Sequence, residues 1–483
     1  GTGNSRALIL KAIRLGREQA AEGSVLLKND KSNGGGLPLK EGAAITLFGI
    51  RSSTPIVGSA FGVKAHGPYI NLEQALSSDK TDFAHTMTAN YDTSEGRRVN
   101  TTKKWTGEEF EFDGAGFTIN PTMSGVYKIL SATYQLAEND LVSETYNPYE
   151  PSVSEIENVN PNFRDSFTQY NDAAIVVISR PSGESTDFLP GGVEPGIGAK
   201  EPLALTTNEK DAIKLAKECS DNVIVLLNTS SAIEIGELKN DPEIDAILWI
   251  GAPGNYGFLG VADILSGKVS PSGGLFDIFP TYNMSAPAMQ NMGRFSYTNA
   301  KDVITRGGGR FGGDVGQYLM EAEGIYVGYR YYETRYYDCV MGQGNAKSSA
   351  GTFASEGAWD YAKEVAYSFG FGLSYTNFKF AFADEPVLKV STNEKGIPSG
   401  TMTFKVKVTN TGNMAGKTSV QIYGQAPYLK GGVEKSAIQL LNFDKTRTLQ
   451  PGESETVEIV ADLQYIASYD SKHDNGDGTF GAY

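Results

Sequence analysis

The sequence is poor in the residues that build stapled or metal-centred folds. Two of its 483 residues are cysteine and three are histidine. Cys219 and Cys339 cannot make a disulfide framework, and no His/Cys spacing suits a zinc site. No cofactor or metal is expected. Long apolar runs are also missing, since stretches such as Ala173–Ile178 fall far short of the ~20 residues a spanning helix needs. No membrane span is expected in this chain. Residues 1–20 lack the charged-then-apolar pattern of a leader. The chain reads as soluble, and its few cysteines fit a cytoplasmic protein and a secreted or cell-surface bacterial one equally. Positive charge is in deficit: 42 Lys and Arg stand against 57 Asp and Glu, a formal charge of −15. That balance argues against a nucleic-acid partner. There is no Walker motif, no Gly-x-Ser-x-Gly elbow and no histidine at a strand end, which removes phosphate-loop and triad chemistry.

What is present is enough apolar material for a core. Hydrophobic residues make up 40% and aromatics 11%, which excludes a disordered chain, and the length suggests about two to four domains. Near-helical spacing of Leu8, Ile9, Ala12, Ile13, Leu15, Ala20 and Ala21 predicts an opening helix over Ser5–Gly23. Buried strands are predicted at Ile45–Gly49, Ala173–Ser179, Asn222–Asn228 and Ile244–Gly251, with helices at Thr207–Cys219 and Tyr256–Ser266. Short apolar strands alternating with amphipathic helices imply an α/β fold, a mostly parallel sheet covered on both faces. The stretches 60–125 and 281–324 read as long excursions from that core.

After about residue 370 the pattern changes to alternation: Val387–Val390, Thr401–Thr409, Thr418–Tyr423, Ala437–Phe443 and Thr456–Val460, separated by Gly/Asn/Pro turns. A small antiparallel sandwich is expected. A seven-stranded one would need one or two more strands after Asp462, and none is legible there, so the domain reads as incomplete at its C-terminus. The division expected is 1–325 for the α/β domain, 326–370 for a Tyr/Gly-rich linker and 371–483 for the β domain. Asp474–Gly478 fits a tight hairpin turn better than a calcium loop. The cluster Tyr326-Val-Gly-Tyr-Arg-Tyr-Tyr332 can pack at a domain junction or stack sugars, and the junction is the preferred reading.

Ligands of parallel α/β sheets sit beyond the carboxyl ends of the strands. The predicted strand Ala173–Ser179 runs into Arg180-Pro-Ser-Gly-Glu184-Ser-Thr-Asp187, which places an arginine and two carboxyl groups on a Gly-containing loop at such an end. A carboxylic acid there can serve as a general acid, while a solvated polar turn explains the same residues without any chemistry.

Seven stretches together resemble glycoside hydrolase family 3, the β-glucosidase and β-xylosidase family. They are Glu22-Gly-Ser-Val-Leu-Leu-Lys-Asn29 with Leu37-Pro-Leu39; Ser182-Gly-Glu-Ser-Thr-Asp187; Val223-Ile-Val-Leu-Leu-Asn228; Ala262-Asp-Ile-Leu-Ser-Gly267 with Ser270-Pro-Ser-Gly273 and Phe279-Pro280; Tyr326–Tyr332; Phe369-Gly-Phe-Gly-Leu-Ser-Tyr375; and Thr409-Asn-Thr-Gly412 with Ala415-Gly-Lys417. The resemblance implies an (α/β)6-type sandwich domain followed by a fibronectin type III-like, immunoglobulin-like sandwich. It implies Glu184 as the catalytic acid/base, with Arg180 and Asp187 beside it as substrate-binding residues. Ser185 and Phe188 depart from the family's loop pattern.

The family's nucleophile is an aspartate on a (β/α)8 barrel, and no TIM barrel is legible in this chain. In some members the barrel comes last, and the resemblance favours that order. The expected partners are therefore an oligosaccharide or aryl β-glycoside, a barrel on a further segment or second chain, and a second copy of this chain as a homodimer. The competing expectation is a non-catalytic carbohydrate-binding or scaffold protein that keeps only the accessory domains.

Overall fold

The computed structural model describes residues 5–32, 34–58, 69–77, 81–89, 101–134, 149–180, 188, 202–290, 297–303, 320–321, 323–342, 359–392, 398–427 and 432–482. Six strands make the central sheet: β1 (Val25–Asn29), β2 (Ala44–Phe48), β3 (Thr118–Ile119), β4 (Ala173–Arg180), β5 (Val223–Thr229) and β6 (Ala246–Trp249). Their spatial order is β1-β6-β5-β4-β2-β3. All neighbours run parallel except β1, which pairs antiparallel with β6. The predicted apolar runs thus form a mostly parallel sheet, with ends within about two residues of those expected.

All eight residues of β4 and all seven of β5 are buried, because helices cover both faces. Alternate residues divide between the two faces. Ala174, Val176 and Ile178 pack with α2 (Pro121–Thr133) and α3 (Thr207–Cys219), while Ala173, Ile175 and Val177 pack with α1 (Ser5–Gly23) and α4 (Phe258–Leu265). Each fully buried aliphatic side chain contributes about 1.5–3 kcal/mol. On α1, Ile13 and Ala21 face the core while Leu8 and Leu15 remain exposed. The close approach of α1 to α4 depends on Gly260, where an added Cβ would stand 2.1 Å from the Arg17 carbonyl oxygen. Arg17 also holds Asp263 through two hydrogen bonds of 2.5 Å.

Within the first long excursion, Thr81–Ala89 and Thr101–Phe112 pair as an antiparallel hairpin. No element is predicted there, since its few apolar residues, such as Phe83, Met87, Trp105 and Phe110, recur too irregularly among threonines and charged residues to give a clear period.

The β domain has the strands β7 (Phe378–Phe382), β8 (Val387–Thr392), β9 (Pro398–Asn410), β10 (Ser419–Gly424), β11 (Gln439–Lys445) and β12 (Ser454–Asp462). The long β9 pairs with β7 and β8 along one edge and with β12 along the other. β10 and β11 form a second, two-stranded sheet. Val406, Val408, Val420, Ile422, Val457 and Ile459 meet between the sheets. Two more strands do follow Asp462, at Asp470–Asp474 and Phe480–Ala482, where the reading expected none. They pair with each other through the turn at Asn475–Thr479, so the Asp474–Gly478 stretch is a hairpin turn.

The Tyr-rich segment forms the helix Tyr329–Cys339 at the junction. Tyr332 is buried with its hydroxyl 2.6 Å from Ser285 Oγ, and the Leu440 N–H donates to the Tyr329 hydroxyl at 2.9 Å. Glu22 ties the two domains together elsewhere, accepting from Lys417 and Lys445. Among the described residues no helix is long and apolar enough to cross a membrane.

Candidate active site

The carboxyl ends of β2, β4, β5 and β6 form one rim, and side chains lock it. Asn228, in β5, accepts from the Ile56 N–H at 2.6 Å and donates to the Ile56 and Gly251 carbonyls at 3.0 and 2.6 Å. The Trp249 indole donates to the Thr229 carbonyl at 2.8 Å. Beyond β2, the Ile50 N–H donates to Glu150 Oε2 at 2.9 Å.

Arg180 is the last residue of β4 and is fully buried. Its Nε donates to the Pro202 carbonyl at 2.6 Å. One terminal nitrogen donates to the Ser179 carbonyl and to Glu209 Oε1, at 2.6 and 2.5 Å. The other donates to the Ala204 carbonyl at 2.6 Å and to Glu209 Oε2 at 3.0 Å. A guanidinium has five N–H donors, and all five are committed to the protein. Sequence reasoning expected Arg180 to bind substrate; its burial and full set of partners leave it no donor to do so. It fastens the end of β4 to the segment Pro202–Ala204, where the chain returns from the loop.

Glu209 completes this clamp and was missed in the sequence. It is residue N3 of α3 and forms a capping box with Thr206, whose backbone N–H donates to Glu209 Oε2 at 2.7 Å. The Thr206-x-x-Glu209 spacing was a legible signal. What the spacing does not carry is the second use of the same carboxylate, across 29 positions, as the partner of Arg180. Asn208, also on this turn, donates to the Glu150 carbonyl at 2.8 Å.

Glu184 and Asp187 lie outside the described residues. The loop that carries them leaves from buried Arg180 and reaches Phe188, which is buried in the core cluster of α2 and α3. Of the two residues that depart from the family's loop pattern, Phe188 is therefore an apolar anchor.

Behind the rim, Glu150 is buried among Ile50, Arg51, Tyr127 and Glu209. Burial foremost, with the Glu209 charge adding to it, pushes its carboxyl well above the usual range, against the Ile50 N–H and the Arg51 charge. Burial likewise pushes the Tyr127 phenol up, with Glu150 contributing. This corner holds a buried carboxyl behind the clamp and was not foreseen in the sequence. Among the described residues no three His, Cys, Asp or Glu side chains group to hold a metal.

Comparison with known proteins places these features in context. The model of the glycosyl hydrolase family 3 C-terminal domain matches residues 24–375, and a fibronectin type III-like model matches residues 418–480. Beta-glucosidase A of Butyrivibrio fibrisolvens is 31% identical over 95% of this chain and 47% of its own length. The structure of beta-glucosidase 3B from Thermotoga neapolitana in complex with glucose superposes with a TM-score of 0.61 at 27% identity, over 95% of this chain and 50% of that one. A beta-glucosidase from Paenibacillus barengoltzii shares the fold, with a TM-score of 0.64 at 24% identity over 95% of this chain and 39% of that one. The chain thus spans half or less of the length of these relatives.

Proposed function

Since the chain belongs to glycosyl hydrolase family 3, we propose that it is the acid/base-bearing portion of a retaining, exo-acting β-glycosidase of the β-glucosidase type. A barrel outside this sequence supplies the aspartate nucleophile. The family's relatives named above are beta-glucosidases, and one holds glucose, which supports terminal β-linked glucose as the substrate class.

The observation that carries the reading is the clamp at the carboxyl end of β4. Arg180 and Glu209 fix both the departure of the loop and its return at Pro202–Ala204. A catalytic carboxyl must be held on a rigid frame to act, and a solvated turn has no need of a buried five-bond clamp. In the mechanism, Glu184 gives its proton to the glycosidic oxygen as the barrel's aspartate attacks the anomeric carbon. It then takes a proton from the water that cleaves the glycosyl–enzyme bond. Asp187 contacts the substrate from the same loop. Arg180 acts through the loop's position.

The test is Glu184→Gln in the complete enzyme. Hydrolysis of substrates with poor leaving groups should fall by about 10²–10⁴, and that of activated aryl glycosides far less, because these need little protonation. Equal loss on both, or none, overturns the assignment. Intact-mass measurement of the active material tests the barrel: hydrolysis by a species with the mass of this chain alone would refute the need for it.

A further inference from the structure

The junction carries a cleft open to solvent. It lies between the helix Tyr329–Cys339 and β10 and has a volume of about 580 Å³, within the size range of small-molecule sites. Three elements each present one stripe to it. Tyr329, Glu333 and Tyr336 recur at i, i+4 and i+7 on the helix, and Gln421 and Tyr423 recur at i and i+2 on β10. Phe369 and Tyr361 close it from the segment that leads into the β domain.

We propose that this cleft binds a β-linked glucose disaccharide, as a saccharide site separate from the catalytic loop. The chemistry of the lining is that of a pyranose receptor. A β-linked glucose ring is a flat body with C–H groups on both faces and hydroxyls around its edge. Aromatic side chains match such a ring, offering apolar faces and, in tyrosine, a polar tip. The rings of Tyr329 and Phe369 stack at 4.3 Å, and Tyr423 meets Phe369 edge-on at 6.4 Å, forming a corner of two aromatic planes. The polar groups are few and convergent. The Tyr361 hydroxyl donates to Glu333 Oε1 at 2.6 Å and the Tyr423 hydroxyl to Gln421 Oε1 at 2.6 Å. A carboxylate has about four acceptor positions, so Glu333 retains capacity for sugar hydroxyls. Glu333 and Gln421, both half-exposed, bring a carboxylate and an amide to the walls of the cleft.

The walls are also preset. The Ala437 N–H donates to Thr334 Oγ1 at 2.9 Å and the Leu440 N–H to the Tyr329 hydroxyl at 2.9 Å, which fixes the helix to the β domain on either side of the cleft. A preformed site spends little of its binding energy on ordering. The choice of sugar rests on the β-glucosidase reading; the cleft itself does not.

Calorimetric titration of the full chain with cellobiose tests the proposal. Saturable binding is expected, weakened about tenfold by Tyr423→Ala and by the isosteric Glu333→Gln. Glu184→Gln should leave it unchanged. Thermal melts of each variant establish that it is folded, and Glu333→Gln serves if Tyr423→Ala is not. Absence of saturable binding, binding that survives both cleft substitutions, or binding lost with Glu184→Gln each overturns it. Hydrolysis is measured separately in the complete enzyme, so a failed catalytic reading with intact cleft binding is recognised as such.

Discussion

The strand Ala173–Arg180 buries all eight of its residues, and the strand Val387–Thr392 exposes all six. The second carries Val387, Leu388 and Val390 all the same, so an apolar side chain in a strand is not buried by its type alone. In the α/β domain, helices supplied by the chain itself cover each face of the sheet. In the β domain, the interior is a small cluster around Val408 and Ile459, and Phe382 and Val390 are 65% and 68% exposed. A cavity of 500 Å³ opens between its sheets, lined by Phe380, Phe382, Val406 and Ile422. The lesson is that the first domain holds a site by over-determined packing. The second presents apolar surface of the kind that marks contact faces.

The sharpest way to test the first half of this contrast is to open the clamp. Arg180→Ala leaves Glu209 as a buried carboxylate without its cation and strands the carbonyls of Pro202 and Ala204. The expected cost is about 3–5 kcal/mol in denaturant unfolding. A cost below about 1 kcal/mol would show that the rim is not rigid. Next in size is Ile175→Ala, a fully buried side chain in the middle of β4, expected to lose about 2–5 kcal/mol.

The corner occupied by Glu150 makes a pH prediction. Its folded carboxyl titrates above its ordinary value near 4.5, so the native state keeps a proton that the unfolded chain has released. Stability contributed by that proton is full below the unfolded value and is lost as pH rises toward the folded one, at up to about 1.4 kcal/mol per pH unit. Glu150→Gln mimics the neutral acid and removes this slope. The melting temperature of the variant should therefore exceed that of the parent increasingly as pH rises above the ordinary carboxyl value near 4.5, with little difference below it. A parallel pair of curves would show that Glu150 is ionised in the fold.

Most of the sheet was legible because burial on both faces forces continuous apolar runs, as in Ala173–Ile178 and Val223–Leu227. The hairpin Thr81–Ala89/Thr101–Phe112 was not, because its apolar residues are scattered among threonines and charges and make no such run. The strand Phe378–Phe382 was missed beside its clearer neighbours, being short and next to the linker. At the site, the loop's position beyond β4 followed from the run before it. The partners of Arg180 did not, because a long-range contact such as Arg180–Glu209 has no period in the sequence. A capping box names its own helix turn and nothing beyond it.

The smallest expected effect tests the other half of the contrast. Val390 sits in a strand that pairs with β9 along one edge and leaves its side chains to water. Val390→Thr keeps the β-branched shape and adds a hydroxyl, so it changes only the polarity of an exposed surface. In this chain it should shift the unfolding free energy by less than about 0.5 kcal/mol. A loss approaching that of Ile175→Ala would mean that the face is covered in solution, since only a desolvated hydroxyl is penalised on that scale. The two sheets would then differ in what covers them and not in whether they are covered. Sedimentation of the same variant beside the parent would separate coverage by a second copy of the chain, which disperses on substitution, from coverage within one molecule, which does not.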